Sequence, residues 1–205
     1  MTDNQAPQVP ATPSHSSALF ELTDPELWLV TARHGSARGG LIATFACRAS
    51  IVETLPRVLL GLCKQHHTWQ LVQASGRFTL HLLYPEQLDL VWRFGLRSGH
   101  TEDKFRGLEV SNTPGGNPLL AFTLAWADCY VEDRMDTGDR TVYLAAVGDS
   151  AVLGPGRPLT ISRLQAHAPP AQRKLLDDRY ARDGVTDSQA ILNWRSRRQQ
   201  PASNQ

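Results

Sequence analysis

Several common site signatures are missing from this chain of 205 residues. There is no GxGxxG and no GxxxxGK(S/T), so neither a Rossmann nor a P-loop phosphate cradle is signalled. No GxSxG elbow appears, which removes the usual sign of a serine hydrolase. Cysteine is scarce. Cys47, Cys63 and Cys129 are widely spaced, odd in number and free of any CxxC pair, which argues against a disulfide framework and a structural zinc site. A reducing, cytoplasmic setting suits such usage. No run reaches the roughly 18 apolar residues that a membrane helix needs, and the N-terminal residues lack the basic-then-apolar order of a signal peptide. A charge excess is lacking too: a formal net charge of +1 leaves no global field to draw the chain to nucleic acid or acidic lipid. No internal repeat is present.

What is there suits a globular protein. Hydrophobic residues make up 41% and charged residues 20%, enough for a sizeable core. Residues 1–17 are rich in Pro, Ser, Thr, Ala and Gln and are expected to form a disordered tail, as are 198–205. Arg195, Arg197 and Arg198 read as a solvated helix end rather than a nucleic-acid contact.

Between these tails the pattern predicts strands. Glu26 to His34 is rich in strand formers, Gly35 to Gly40 is a turn signal, and Leu41 to Ile51 returns as a second strand. Arg57 to Cys63 is short and apolar enough for a buried strand. His67 to Ala74 has helical spacing with Gly76 as its stop, and Phe78 to Leu83 is the next strand. Pro85 opens a helix whose apolar face is Leu88, Val91, Trp92 and Leu96. Leu119 to Asp133 reads as one long strand, with Phe122, Leu124, Trp126 and Tyr130 on one face and Ala125, Ala127, Cys129 and Val131 on the other. After the turn Asp136–Asp139, Arg140 to Val152 pairs back on it as a hairpin. Two helical pieces follow, at about 171–182 and 187–197. Six or seven strands in hairpin order, without βαβ units, predict a mainly β fold: a closed antiparallel barrel with short helices.

The chemistry-bearing stretch runs from Gly40 to Thr79. Small residues at Ala43, Thr44, Ala46 and Cys47 let a flat ligand approach the backbone. Lys64-Gln65-His66-His67-Thr68 offers a cation, a hydroxyl, imidazoles and the free N–H groups of a helix N-terminus, a competent phosphate site without a glycine loop. A planar ring plus one phosphate is what FMN presents. From spacing alone, a surface cation and a helix cap account for Lys64 and Thr68 at least as well. His66 and His67 are adjacent and make a weak metal pair. Cys47 beside Arg48 fits a buried strand cysteine better than an activated thiol. Asp177-Asp178 reads as a solvated helix face.

The order of these pieces resembles the flavin reductase-like family of FMN-binding split barrels. Gly40–Ile51 is similar to its G-(x)-T-A-S-S-F-x-x-V-S-L strand, with Ser50 on the final serine. Cys63–Thr68 is similar to its N-R-S-S-x-T, and Gly76–His81 to its G-x-F-x-V-N. Asp103-Lys104-Phe105 looks like its D-K/R-F, Gly116-Asn117-Pro118-Leu119 like its G-x-P-x-L, and Gly138-Asp139-Arg140 like its G-D-H turn. The resemblance spans roughly residues 26–153. The chain departs from the pattern at Cys63–His66, at His81 in place of asparagine, at Arg140 in place of histidine, and at Pro158–Ser162.

The resemblance implies a Greek-key-type FMN-binding split barrel over residues 18–165, preceded by the tail at 1–17 and followed by a C-terminal helical extension over 166–205. It implies an isoalloxazine ring along Thr44, Phe45, Ala46 and Cys47, and a phosphate at Lys64, Gln65, His66, His67 and Thr68. Lys104 and Arg140 would lie near the ring, and positive charge from Lys64, Lys104 or Arg140 would stabilise a reduced, anionic flavin. Hydride would pass from NAD(P)H to FMN, and the family activity needs no catalytic side chain because the cofactor carries the chemistry. A homodimer is implied, covering Trp69, Trp92 or Trp126, as is a monooxygenase partner that receives reduced flavin. An FMN-binding electron carrier without nicotinamide activity and a barrel without flavin are the competing readings.

Overall fold

In the computed structural model, residues 19–20 and 22–199 are described. The expected tail 1–17 lies outside them.

Strands β1 (Trp28–His34) and β2 (Ala37–Ala43) form the first hairpin, turning at Gly35 and Ser36. The left-handed φ of 58° at Gly35 is what glycine permits there. The glycines Gly39 and Gly40, expected in the turn, are paired strand residues instead. The second strand ends at Ala43, and after Thr44 and Phe45 the chain continues as β3 (Ala46–Arg48), which pairs with β4 (Arg57–Cys63). Helix α1 (His67–Ser75) stops at Gly76, whose αL backbone returns its N–H to the Val72 carbonyl. Strand β5 (Arg77–Leu82) follows. Pro85 precedes, rather than opens, the short helix α2 (Leu88–Val91), which runs into a π turn over Trp92–Leu96.

The long strand expected from Leu119 is two elements. Pro118–Leu120 is a short strand, β7, paired with β6 (Val110–Asn112), and the ribbon strand β8 begins only at Ala125 and runs to Asp136. Its partner β9 is Arg140–Val152, as expected. Register shifts at Asp128/Cys129 and Val131/Asp133 break the simple two-face alternation. As a result Asp128 and Cys129 are adjacent and both fully buried.

The seven-stranded antiparallel sheet has the order β2-β1-β5-β8-β9-β4-β3. Its two edge strands, β2 and β3, are joined through Thr44 and Phe45 alone. The sheet must therefore curl until its edges meet at that crossover. No β2–β3 ladder is formed among the described residues, so the barrel is split there rather than closed. Inside it, Val30, Leu60, Leu62, Phe78, Leu80 and Tyr143 pack with Leu71 and Val72 of α1. A second core, with Leu29, Leu83, Phe94, Phe105 and Leu159, covers the other face of β1.

Helix α3 (Ile161–His167) leads to the C-terminal helix α4, one continuous element over Pro170–Gln199 in place of the two pieces expected. It includes residues 198 and 199, which were expected in the tail. Trp69, Trp92 and Trp126 are half-buried rather than exposed. Trp69 and Trp92 pack against the two cores. The Trp69 indole also donates to the Thr141 hydroxyl at 2.9 Å.

Candidate functional site

The split between β2 and β3 opens into a cavity of about 890 Å³, within the range of small-molecule sites. It is lined by β2 and its crossover from Gly40 to Phe45, by Gly61 to Cys63 of β4, and by the start of α1. Close packing fixes the glycines here. A Cβ on Gly40 would sit 2.8 Å from the Phe94 ring, and one on Gly61 would sit 3.2 Å from the Phe45 Cβ.

The N-terminus of α1 opens on the cavity without a side-chain cap. His66 occupies the N-cap with no side-chain cap, and the first turn holds no acid. The Trp69 N–H turns back to the His66 carbonyl, which leaves the N–H groups of His67 and Thr68 among the helix's orphan donors. Thr68 is buried and lines the cavity with Gln65, His66 and His67. Burial lowers the pKa of both histidines, and the neighbouring His100, stacked edge-on at 5.1 Å, lowers that of His67 further. Both imidazoles are thus held toward their neutral, hydrogen-bonding form.

Eight of the eleven residues singled out from sequence line this cavity: Thr44, Phe45, Gln65, His66, His67, Thr68, Lys104 and Arg140. Three do not. Ala46 and Cys47 lie beyond the crossover on the edge strand β3, where Cys47 is exposed. Lys64 points away and pairs with Asp136 on the ribbon at 2.6 Å. None of the three predicted cations is free. Besides Lys64, Lys104 donates to the carbonyls of Gly40 (3.0 Å) and Phe94 (2.8 Å), and burial pushes its pKa down to about 8. Arg140 is held by Asp139 through Nε and by Asp187 through Nη2, each at 3.0 Å, with its guanidinium 4.7 Å from the centre of the Phe45 ring.

The C-terminal helix forms a further wall, from which no site residue was singled out in the sequence. Helix α4 contributes Arg179, Asp183, Asp187 and Ile191 among others. The Asp187 carboxylate also receives the Cys63 thiol at 3.0 Å. Burial, with that bond next, pushes the Cys63 thiol up to about 11, so it is no nucleophile near neutral pH. The signal available was the four-residue recurrence of polar side chains at 179, 183 and 187, which places them on one helical face.

With this geometry established, comparison with known proteins is specific. Residues 25–166 match the family described as the flavin reductase like domain. The chain is 32% identical over 136 residues to the high molecular weight rubredoxin of Moorella thermoacetica, covering 65% of this chain and 58% of that protein. It is 34% identical over 128 residues to the flavin-dependent monooxygenase reductase subunit HsaB of Rhodococcus jostii, covering 62% and 64%. It thus spans less than two thirds of either relative. The fold superposes on an NADH:FAD oxidoreductase of Streptomyces globisporus with a TM-score of 0.61 at 22% identity, over 72% of this chain and 89% of that one. The match over residues 25–166, most of the chain, places it plainly in the flavin reductase-like domain family.

Proposed function

We propose that this member of the flavin reductase-like family binds FMN in the split-barrel cavity and works as an NAD(P)H-dependent flavin reductase. The observation that carries the reading is the meeting, in one cavity, of the glycine-containing segments Gly40–Phe45 and Gly61–Cys63 and an uncapped helix N-terminus with a buried threonine. A ring slot and a phosphate seat so placed fit a flavin mononucleotide. Bound FMN supplies the two-electron chemistry linking a nicotinamide to an acceptor.

The chain's own residues do the rest. Backbone from Gly40 to Phe45 and from Gly61 to Cys63 lies where it can bond the polar edge of the ring. The N–H groups of His67 and Thr68, the Thr68 hydroxyl and the Gln65 amide take the phosphate. Arg140, clamped by two carboxylates with its guanidinium over the Phe45 ring, places a fixed positive charge beside the flavin. Helix α4 limits water in the cavity.

Two further parts of the reading come from surface and kinship. In the connection between β3 and β4, Ile51 and Leu55 are 91% and 67% exposed. An apolar patch of that kind fits a homodimer interface. A relative named as the reductase subunit of a flavin-dependent monooxygenase supports a monooxygenase as the consumer of reduced flavin. The test is NADH and NADPH oxidation with FMN or FAD added. Turnover that saturates with FMN supports the reductase. FMN that binds but stays oxidised with either nicotinamide makes the chain an electron carrier.

A further inference from the structure

Helix α4 lies beyond the family match of residues 25–166, yet it forms one wall of the cavity. Its hold on the barrel is polar and sparse. None of its thirty residues is buried. Arg179 donates to the Leu96 carbonyl at 2.7 Å, and Asp187 takes the Arg140 guanidinium at 3.0 Å and the Gln65 amide at 3.4 Å. Farther along, Trp194 presses on the ribbon turn so closely that a Cβ at Gly138 would lie 2.8 Å from the Trp194 Cβ. The two walls also attract. The barrel side carries Arg97, Lys104 and Arg140 against Asp139, and the helix side carries Asp177, Asp183 and Asp187 against Arg173 and Arg179.

A helix anchored in a core stays in place. One held by a few half-buried polar bonds belongs to the low-stability end of a fold and opens as lids do. We infer that α4 gates the flavin cavity and that Asp187 is its latch on Arg140, so that flavin enters and leaves only when the helix swings away. This rests on the flavin reading above.

The test is stopped-flow FMN association and dissociation on the full chain, followed by flavin fluorescence. The proteins are wild type, Asp187→Asn, and Trp194→Ala, which removes a half-buried indole from α4 at a residue outside the cavity lining. A gate scales both rates by the open fraction. Both variants should therefore speed association and dissociation together, in Asp187→Asn by about five- to tenfold, the size expected for one charge-assisted contact, and in Trp194→Ala, which leaves the Arg140 clamp intact, Kd should move by less than about twofold. Faster dissociation alone, and only in Asp187→Asn, would make Asp187 a flavin contact and overturn the gate. Unchanged rates in both variants, with FMN bound, would overturn it as well. Failure of the wild type to bind FMN would instead remove the flavin reading, and the gate with it.

Discussion

The carboxylate of Asp187 lies 3.0 Å from the guanidinium of Arg140, 47 residues earlier in the chain, and so ties the C-terminal helix to the ribbon hairpin. Asp139 holds the same guanidinium from the other side, and Phe45 lies under its face. A planar fork is needed to satisfy two carboxylates and a ring at once. Arg140→Lys keeps the charge and loses that geometry. We expect FMN affinity to fall by about tenfold, an energy in the range of one charge-assisted bond, with the melting temperature little changed. Fluorescence titration and thermal melts check both parts.

Gly40 is a second point of close fit. An added Cβ would meet the Phe94 ring at 2.8 Å and the Val30 carbonyl at 3.2 Å. The Gly40 carbonyl also anchors Lys104. Gly40→Ala should destabilise the fold by about 1–3 kcal/mol, the usual penalty of overpacking, and weaken FMN binding. Gly184→Ala, in the interior of α4 with nothing within 4 Å of the new methyl, should raise stability by roughly 0.5–1 kcal/mol. Denaturant melts of the two variants would show opposite signs.

His81 sets an acid limit. Its ring is fully buried, with Nδ1 against the Leu29 carbonyl at 3.2 Å and Nε2 accepting the Leu120 N–H at 3.3 Å. A second ring proton would face a donor. Burial accordingly pushes its pKa from 6.5 down to about 4. Between those values the unfolded chain holds the extra proton and the folded one does not. Stability is then full above pH 6.5 and is lost as pH falls toward 4, by up to about 3 kcal/mol from this one group. His81→Asn, the residue of the family pattern, should flatten that stretch of the stability–pH curve.

Lys104 acts at the other end. Burial holds its folded pKa near 8 against an ordinary 10.5. Over that window the unfolded chain again binds the extra proton, so the lysine's contribution rises as pH goes from 8 to 10.5. Lys104→Met should remove this rise from the difference between wild-type and variant denaturation curves. It should also lower stability at pH 7, because the Gly40 and Phe94 carbonyls lose their donor.

The sequence was informative wherever local rules decide structure. The ribbon turn Asp136–Asp139, the strand Arg57–Cys63 and the stop of α1 at Gly76 follow from turn residues, apolar runs and a C-cap glycine. It misled where tertiary context prevails. Gly39 and Gly40 look like a turn, but the close approach of Leu71 and Phe94 needs glycine inside a strand. Leu119 and Ala125 fall in different strands because the chain must turn between the small β6–β7 sheet and the ribbon. Thr68 and Arg140 line the cavity at the places the family order gives them, although Arg140 stands where the pattern has histidine. Lys64 was misplaced because nothing in its spacing shows that Asp136 lies within reach across the ribbon turn. Asp187 was missed because a helix with few apolar residues looks like a cap from sequence alone, and its partner Arg140 is distant in the chain.

The most direct test of the flavin site is a titration of the purified chain with FMN, following the visible absorption band and the quenching of flavin fluorescence, in wild type and Thr68→Val. The variant removes the buried hydroxyl at the start of α1 while keeping the side-chain shape. Saturable one-to-one binding by wild type, weakened about tenfold in the variant as expected for a hydrogen bond to a charged group, would agree with a phosphate seated there. An unperturbed FMN spectrum with wild type at every ratio would contradict it.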